Sequence, residues 1–123
     1  MSGTNILVDT NILIYFLKGN EKIKSIFIEQ IPIISFISEL ELLSFPGLNT
    51  TDTKLIRSFL SDIKVVDINK TIKEKAIQYR RDNNVKLPDA IIAATAFYEN
   101  IPLLTADKDF EKILDWEVFI FEE

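Results

Sequence analysis

The 123-residue sequence contains neither cysteine nor histidine. Because cysteine is absent, the chain can form no disulfide and no thiolate metal site, and it suits a reducing compartment such as the cytoplasm. Because histidine is absent, the chain lacks the usual zinc ligand, the usual general base and any Ser–His–Asp triad. Any metal ion would therefore be bound through oxygen atoms, which favours hard cations such as Mg²⁺ or Mn²⁺.

Long hydrophobic runs are also absent from the sequence. No apolar stretch approaches the roughly 20 residues that cross a bilayer, so we expect no membrane span. No basic segment precedes an apolar one at the N-terminus, and we expect no signal peptide. The formal net charge of −5 is unfavourable for sequence-independent binding to nucleic acid, which depends on Lys and Arg at phosphates. These features predict a cytoplasmic protein without a membrane partner.

Short apolar runs alternate with helical patterns along the chain. Strands are predicted at residues 6–8, 33–36, 65–68, 102–104 and 118–121. Helices are predicted at 10–17, 21–29, 38–45, 50–60 and 69–84, from 88 onward, and at 110–114. The alternation predicts a three-layer α/β/α fold in which helices cover a mostly parallel central sheet of about five strands. We expect residues 1–123 to form a single domain.

Acidic residues occur where predicted strands give way to helices or loops. They are Asp9, Glu41, Asp89 and Asp107. The carboxyl ends of parallel strands share one edge of a sheet, and open α/β sheets bind their ligands at that edge. Carboxylates gathered there would repel one another unless a cation lay among them. The pattern therefore predicts a metal site.

Each acid taken alone has a simpler explanation. Asp9 is a suitable N-cap for a helix that begins at Thr10. Ser38, with Glu41 three residues later, fits a capping box. The coincidence of several such positions favours the metal site. One choice stays open, because Glu39 and Glu41 lie about 200° apart around a helix and only one can face the site. The spacing from Ser38 favours Glu41, whereas a rotated helix would present Glu39.

The segments that contain these acids resemble, in order, the motifs of PIN-domain nucleases. The segments are residues 7–11, 34–41, 87–96 and 104–110. The resemblance covers nearly the whole chain, and its length and motif style are similar to the VapC-type toxins of toxin–antitoxin pairs. Ser38 stands where the family usually has Thr, which keeps the hydroxyl. Residues 42–45 lack the small or basic residues that often follow the Glu in this family.

The resemblance implies a PIN-like endoribonuclease that hydrolyses RNA phosphodiester bonds with Mg²⁺ or Mn²⁺. Its catalytic and metal-binding residues would be Asp9, Glu41, Asp89 and Asp107. Asn11, Ser38 and Thr105 would hydrogen-bond to these ligands and orient them. The resemblance also implies a cognate antitoxin and a homodimer. The alternative is a PIN-like module that has lost activity and only binds RNA or an antitoxin.

Basic residues beside the motif segments are candidate RNA contacts. They are Arg80, Arg81, Lys86 and Lys108. A solvated helix face, or pairs of charges at i and i+4, is the simpler explanation of the same residues. Tyr15, Phe16, Tyr79 and Tyr98 are expected in the core rather than as platforms for stacked bases. The first two helices carry more apolar residues than one core face needs, which fits either an interface or a thicker core.

Overall fold

A computed structural model describes residues 3–113 and 117–122 of the chain. Within these ranges the strands are β1 (Thr4–Val8), β2 (Gln30–Ser35), β3 (Lys64–Val66), β4 (Leu103–Thr105) and β5 (Val118–Ile120). The α-helices are α1 (Thr10–Leu17), α2 (Glu21–Glu29), α3 (Phe36–Leu43), α4 (Thr50–Ser61), α5 (Lys70–Asn83) and α6 (Leu87–Glu99). A short 3₁₀ helix occupies Lys108–Lys112. None of the helices in the described part of the chain is long and apolar enough to cross a membrane.

The strands form one parallel sheet in the order β3-β2-β1-β4-β5. Leu7 of β1 pairs with Ile33 of β2 on one side and with Leu103 of β4 on the other. The strands β2 and β3 therefore extend the sheet on one side of β1, and β4 and β5 later extend it on the other side. The point between β1 and β4, where the direction of building reverses, is where open α/β sheets form a ligand crevice. The predicted, mostly parallel sheet of about five strands is confirmed.

Hydrophobic side chains pack on both faces of the sheet, because successive residues of a strand point to opposite sides. Leu7 packs in a cluster with Ala93 of α6 and Ile72 of α5. The neighbouring Val8 packs in a second cluster with Leu13 of α1. The three-layer arrangement follows from this alternation. Every residue from Ala90 to Ala96 is buried, which explains why α6 is apolar or small on all sides.

The third helix begins earlier than the sequence predicts. Ser35 is its N-cap, and the Ser35 Oγ accepts a hydrogen bond from the Ile37 N–H at 3.2 Å. Phe36 therefore belongs to the helix and not to the strand. The alternative explanation of Ser38 and Glu41 as a capping box does not hold, because Ser35 already supplies the cap. Ser38 is instead buried in the interior of α3.

The second strand begins at Gln30, three residues before its predicted start, and other predicted boundaries differ by one or two residues. The third strand is Lys64–Val66 rather than 65–68, and Pro88 is the second residue of α6 rather than the first. The predicted helix at 110–114 is the 3₁₀ helix Lys108–Lys112, whose first turn is capped by Asp107. The predicted end of that helix at residue 114 lies outside the described residues.

A few side chains predicted to be inside are exposed. The helical spacing of α5 predicts that Ile77 faces inward, but Ile77 is 54% exposed. The buried stripe of that helix runs instead through Ile72, Ala76 and Tyr79. Tyr98 is 46% exposed. These predictions were wrong because the width of a buried stripe depends on what packs against the helix.

Candidate active site

A pocket of about 330 Å³ opens beside the carboxyl ends of β1 and β4. The acids predicted as ligands all line this pocket: Asp9, Glu41, Asp89 and Asp107. Asn11, an exposed residue in the first turn of α1, lines it as well. The sheet topology thus brings together residues that are far apart in sequence.

Asp9 lies between β1 and α1 and is 6% exposed. Its Oδ1 accepts a hydrogen bond from the Thr10 N–H at 2.7 Å, and its Oδ2 accepts one from the Thr105 hydroxyl at 2.7 Å. Burial raises the pKa of Asp9 to about 6, although the hydrogen bonds from Thr105 and Thr10 oppose the rise. Repulsion from Asp89 and Glu41 raises this pKa further. Asp9 is therefore an N-cap, and it is also a pocket acid whose charged form is disfavoured by burial.

Thr105 links the ends of β1 and β4 across the crevice. Its hydroxyl donates to Asp9 and accepts a hydrogen bond from the Asp107 N–H at 3.0 Å. Asp107 in turn accepts from the Asp109 N–H at 2.9 Å through Oδ1, which caps the 3₁₀ helix. This chain of hydrogen bonds orients Asp9 and Asp107 relative to each other.

Glu41 reaches the pocket from α3. Its Oε1 accepts a hydrogen bond from the Thr10 hydroxyl at 2.7 Å. The Thr10 hydroxyl also lies 2.8 Å from that of the buried Ser38. Glu39 does not line the pocket, so the phase of α3 decides the choice between Glu39 and Glu41 in favour of Glu41. Thr10 was predicted only as the start of a helix, although a hydroxyl directly after Asp9 is a usable signal for a residue of the site.

Asp89 lies in the first turn of α6 and is half-buried. Its pKa is raised, first by burial and then by repulsion from Asp107. The charge of Lys86 opposes this rise, whereas Glu41 and Asp109 add to it. The electrostatic coupling shows that Asp89 shares its surroundings with acids from α3 and from the loop after β4.

The acids are spread around the pocket rather than clustered at one point. Among residues 3–113 and 117–122, no three acidic side chains are grouped closely enough to hold a metal ion directly. Mg²⁺ commonly keeps several waters and uses only one or two protein carboxylates. An all-oxygen, negatively charged set of this kind fits a hard divalent ion held in that way. It does not fit a cage that all four acids ligate at once.

The predicted RNA contacts divide between different parts of the surface. Lys86 is exposed and close enough to Asp89 to lower that residue's pKa. Lys108 is exposed and pairs with Glu122 at 3.4 Å. Arg81 lines a larger groove of about 740 Å³ on the outer side of α5 and α6, and Arg80 is exposed on the last turn of α5. Of these residues, Lys86 has the clearest connection to the acidic pocket.

Comparison with known proteins agrees with the fold and the motifs. The PIN domain family profile matches residues 6–114, and the chain belongs to this family. PIN domains are generally nucleases and typically use a divalent metal. No curated protein gives a significant match.

Several solved structures are similar over nearly the whole chain. A toxin–antitoxin complex from Klebsiella pneumoniae is 31% identical, with a TM-score of 0.78, over 91% of this chain and 98% of that one. VapBC2 from Rickettsia felis, bound to a promoter DNA fragment, is 20% identical with a TM-score of 0.84, over 97% and 100%. VapBC-1 from nontypeable Haemophilus influenzae is 24% identical with a TM-score of 0.81, over 95% and 98%. The predicted resemblance to VapC-type PIN proteins is confirmed.

Proposed function

We propose that residues 1–123 form a single nuclease domain that hydrolyses RNA phosphodiester bonds with Mg²⁺ or Mn²⁺, and that it is the toxin of a VapBC-type pair. The observation that carries this proposal is the convergence of Asp9, Glu41, Asp89 and Asp107 on one pocket at the sheet edge. Membership of the PIN family supports it independently.

Gathering acids in one pocket is electrostatically unfavourable, and a bound cation would offset this repulsion. The raised pKa values of Asp9 and Asp89 show that burial and mutual repulsion disfavour their charged forms. Acidic groups in a cleft whose pKa values are raised by burial and by neighbouring charges are typical of functional sites. A divalent ion, when bound, would lower the pKa of water and neutralise charge that grows on the phosphoryl oxygens.

The side chains of the pocket have separable tasks in this proposal. Asp9 and Asp107 bind the ion, and their hydrogen bonds with Thr105 and Asp109 hold them in place before it arrives. Glu41 and Asp89 would hydrogen-bond to waters on the ion and orient one of them for attack on phosphorus. Lys86 holds a phosphate of the RNA. Asn11 and Ser38 support the ligands through hydrogen bonds.

A phosphodiester is itself an anion, so the bare pocket would repel its own substrate. The net charge of −5 makes this repulsion general as well as local. The cation therefore serves in substrate binding as well as in hydrolysis. We expect RNA affinity to depend on the divalent ion as strongly as cleavage does.

Two protein partners belong to the proposal. A cognate antitoxin would cover the acidic pocket, and a second copy of the chain would form a homodimer in the cytoplasm. Exposed apolar side chains on the early helices, such as Leu17 (37% exposed) and Ile28 (78% exposed), fit a protein interface. Size-exclusion chromatography with light scattering, with and without the antitoxin, tests both partners.

The central experiment is RNA cleavage by the purified chain with Mg²⁺, with Mn²⁺ and with a chelator. We expect cleavage only with the metal ions, and its loss in Asp9→Asn and Asp89→Asn while circular dichroism shows an intact fold. Asp82→Asn is the matched control, because Asp82 is an exposed acid in the groove on α5 and α6.

Cleavage that persists in chelator, or in either pocket variant, would contradict the assignments. A wild-type chain that binds RNA or an antitoxin but cleaves nothing with either ion would instead support the inactive binding module.

A further inference from the structure

We propose that Thr10 is a positioning residue that sets the orientation of Glu41 through its side-chain hydroxyl. The inference rests on the proposed nuclease function, because it assigns a task within that same pocket. Thr10 is 9% exposed and lines the pocket with the acids. Thr10 donates hydrogen bonds to two of these acids, to Asp9 through its N–H and to Glu41 through its hydroxyl, each at 2.7 Å.

The hydrogen-bond directions follow from counting protons. A carboxylate accepts but does not donate, and a threonine hydroxyl has a single proton. That proton lies in the bond from Thr10 Oγ1 to Glu41 Oε1. The bond of 2.8 Å between the Thr10 and Ser38 hydroxyls must then use the Ser38 proton. The bonds therefore run from Ser38 to Thr10 to Glu41.

The hydrogen bonds from Ser38 to Thr10 to Glu41 connect two elements of the fold, and this connection restrains the Glu41 side chain. Ser38 and Glu41 are three residues apart on α3 and therefore lie on the same side of that helix. Thr10 is the first residue of α1 and directly follows Asp9. Its hydroxyl thus joins the end of β1 to α3 between residues 31 positions apart in sequence. A glutamate has several rotatable bonds, and a fixed acceptor restricts which rotamers Glu41 adopts.

Loss of this hydroxyl would affect both of its neighbours. A valine at position 10 keeps the volume but leaves the buried Ser38 hydroxyl and Glu41 without this partner. Residues that orient metal ligands typically change metal affinity or activity about 10–100-fold when they are replaced. Thr10→Val should therefore weaken binding of the ion. Once the ion is saturating, the variant should lower turnover rather than RNA affinity.

The test compares Thr10→Val with Thr10→Ser, which retains the hydroxyl. We expect Thr10→Val to weaken Mn²⁺ binding about 10-fold by calorimetry. At saturating Mn²⁺ it should lower kcat by about 10–100-fold with little change in KM, and Thr10→Ser should recover most of both losses. Thr95→Val is the matched control. Thr95 is also buried, but its hydroxyl donates to the Ile91 carbonyl at 2.8 Å within α6.

A double variant distinguishes positioning from a general structural effect. If Thr10 acts through Glu41, Thr10→Val should weaken Mn²⁺ binding no further once Glu41→Ala is present. An equal loss in both backgrounds would overturn the inference. If Thr10→Val does not fold, Ser38→Ala removes the donor to Thr10 instead, and it should weaken Mn²⁺ binding several-fold in the wild-type background only.

Failure of the proposed function would show in a different measurement. A wild-type chain that neither binds Mn²⁺ nor cleaves RNA would refute the nuclease proposal. The inference is then judged on a crystal structure of metal-free Thr10→Val. A Glu41 side chain that has left its wild-type rotamer supports the positioning role, and an unmoved side chain overturns it.

Discussion

Two concave regions of this protein differ in the charged residues that line them. One contains both signs of charge, and the other contains acidic residues only. The larger groove, of about 740 Å³, lies on the outer side of α5 and α6 and mixes Lys70, Lys75 and Arg81 with Glu74 and Asp82. The smaller pocket, of about 330 Å³, lies at the sheet edge, and all of its charged residues are carboxylates. Asp9 and Asp89 are partly shielded from water there. Opposite charges in the groove offset one another in solvent. In the pocket, burial and then repulsion between the acids raise the pKa values of Asp9 and Asp89.

The comparison shows that the size of a cavity is a poor guide to function. The groove is more than twice as large, yet most of its charges are exposed and both signs are present. The pocket holds groups whose charged forms the fold itself disfavours, which requires compensation by something that binds there. Unfavourable electrostatics therefore identify the candidate site better than volume does.

The largest expected effect is on RNA cleavage, and it distinguishes the two glutamates of α3, Glu41 and Glu39. Glu41→Gln should lower kcat for RNA cleavage about 100-fold, because Glu41 lines the pocket and is oriented by Thr10. Glu39→Gln should change it by no more than about twofold, because Glu39 does not line the pocket. Single-turnover cleavage assays check both variants. The reverse order would show that α3 is rotated relative to the structure described above.

The next effect concerns stability without metal. Asp9→Asn should stabilise the metal-free protein by about 1–2 kcal/mol, because the buried carboxylate with a pKa of about 6 is unfavourable when charged at neutral pH. The amide still accepts from the Thr10 N–H, but the Thr105 hydroxyl loses a charged acceptor, which limits the gain. Thermal unfolding should shift upward by roughly 5 °C. Asp82→Asn in the groove should leave the melting temperature nearly unchanged; a larger shift there than in the pocket would break the comparison.

The same carboxyl group predicts a dependence of stability on pH. The pKa of Asp9 is about 6 in the folded protein and 3.8 in the reference state, so the folded state binds its proton more tightly. The contribution of Asp9 to the free energy of unfolding therefore rises as the pH falls from about 7 towards about 4, and it is lost as the pH rises through 6. Urea unfolding of metal-free wild type and Asp9→Asn across this range measures the difference. A difference that does not vary with pH would refute the raised pKa.

The smallest effect is expected in the groove. Lys75 places its ammonium 4.3 Å from the ring centre of Phe97 and 5.0 Å from that of Tyr79. Lys75→Met keeps the apolar stem and removes this attraction, so we expect a loss of about 0.5–1 kcal/mol in stability with no change in RNA cleavage. Denaturant unfolding and the cleavage assay measure the two quantities. A clear loss of cleavage would assign the groove a part in RNA binding.

Much of the fold was predictable because its signals are local. Apolar runs that alternate with helical patterns predict a parallel sheet. Asp9 directly follows β1 in the chain, and Asp107 lies two residues after β4. Parallel topology then carries such residues to one edge, whatever the details of packing. The catalytic roles of these acids stay predictions until the cleavage experiments are done.

The remaining features depended on contacts between distant residues. The phase of α3, set by the burial of Ser38 and Leu42, turns Glu41 rather than Glu39 towards the pocket. The hydroxyl of Thr10 meets α3 only because α1 and α3 pack side by side. Local sequence patterns therefore determined the order of the elements and the residues at their ends. Tertiary packing decided which side chains touch, because it sets the rotation and approach of each helix.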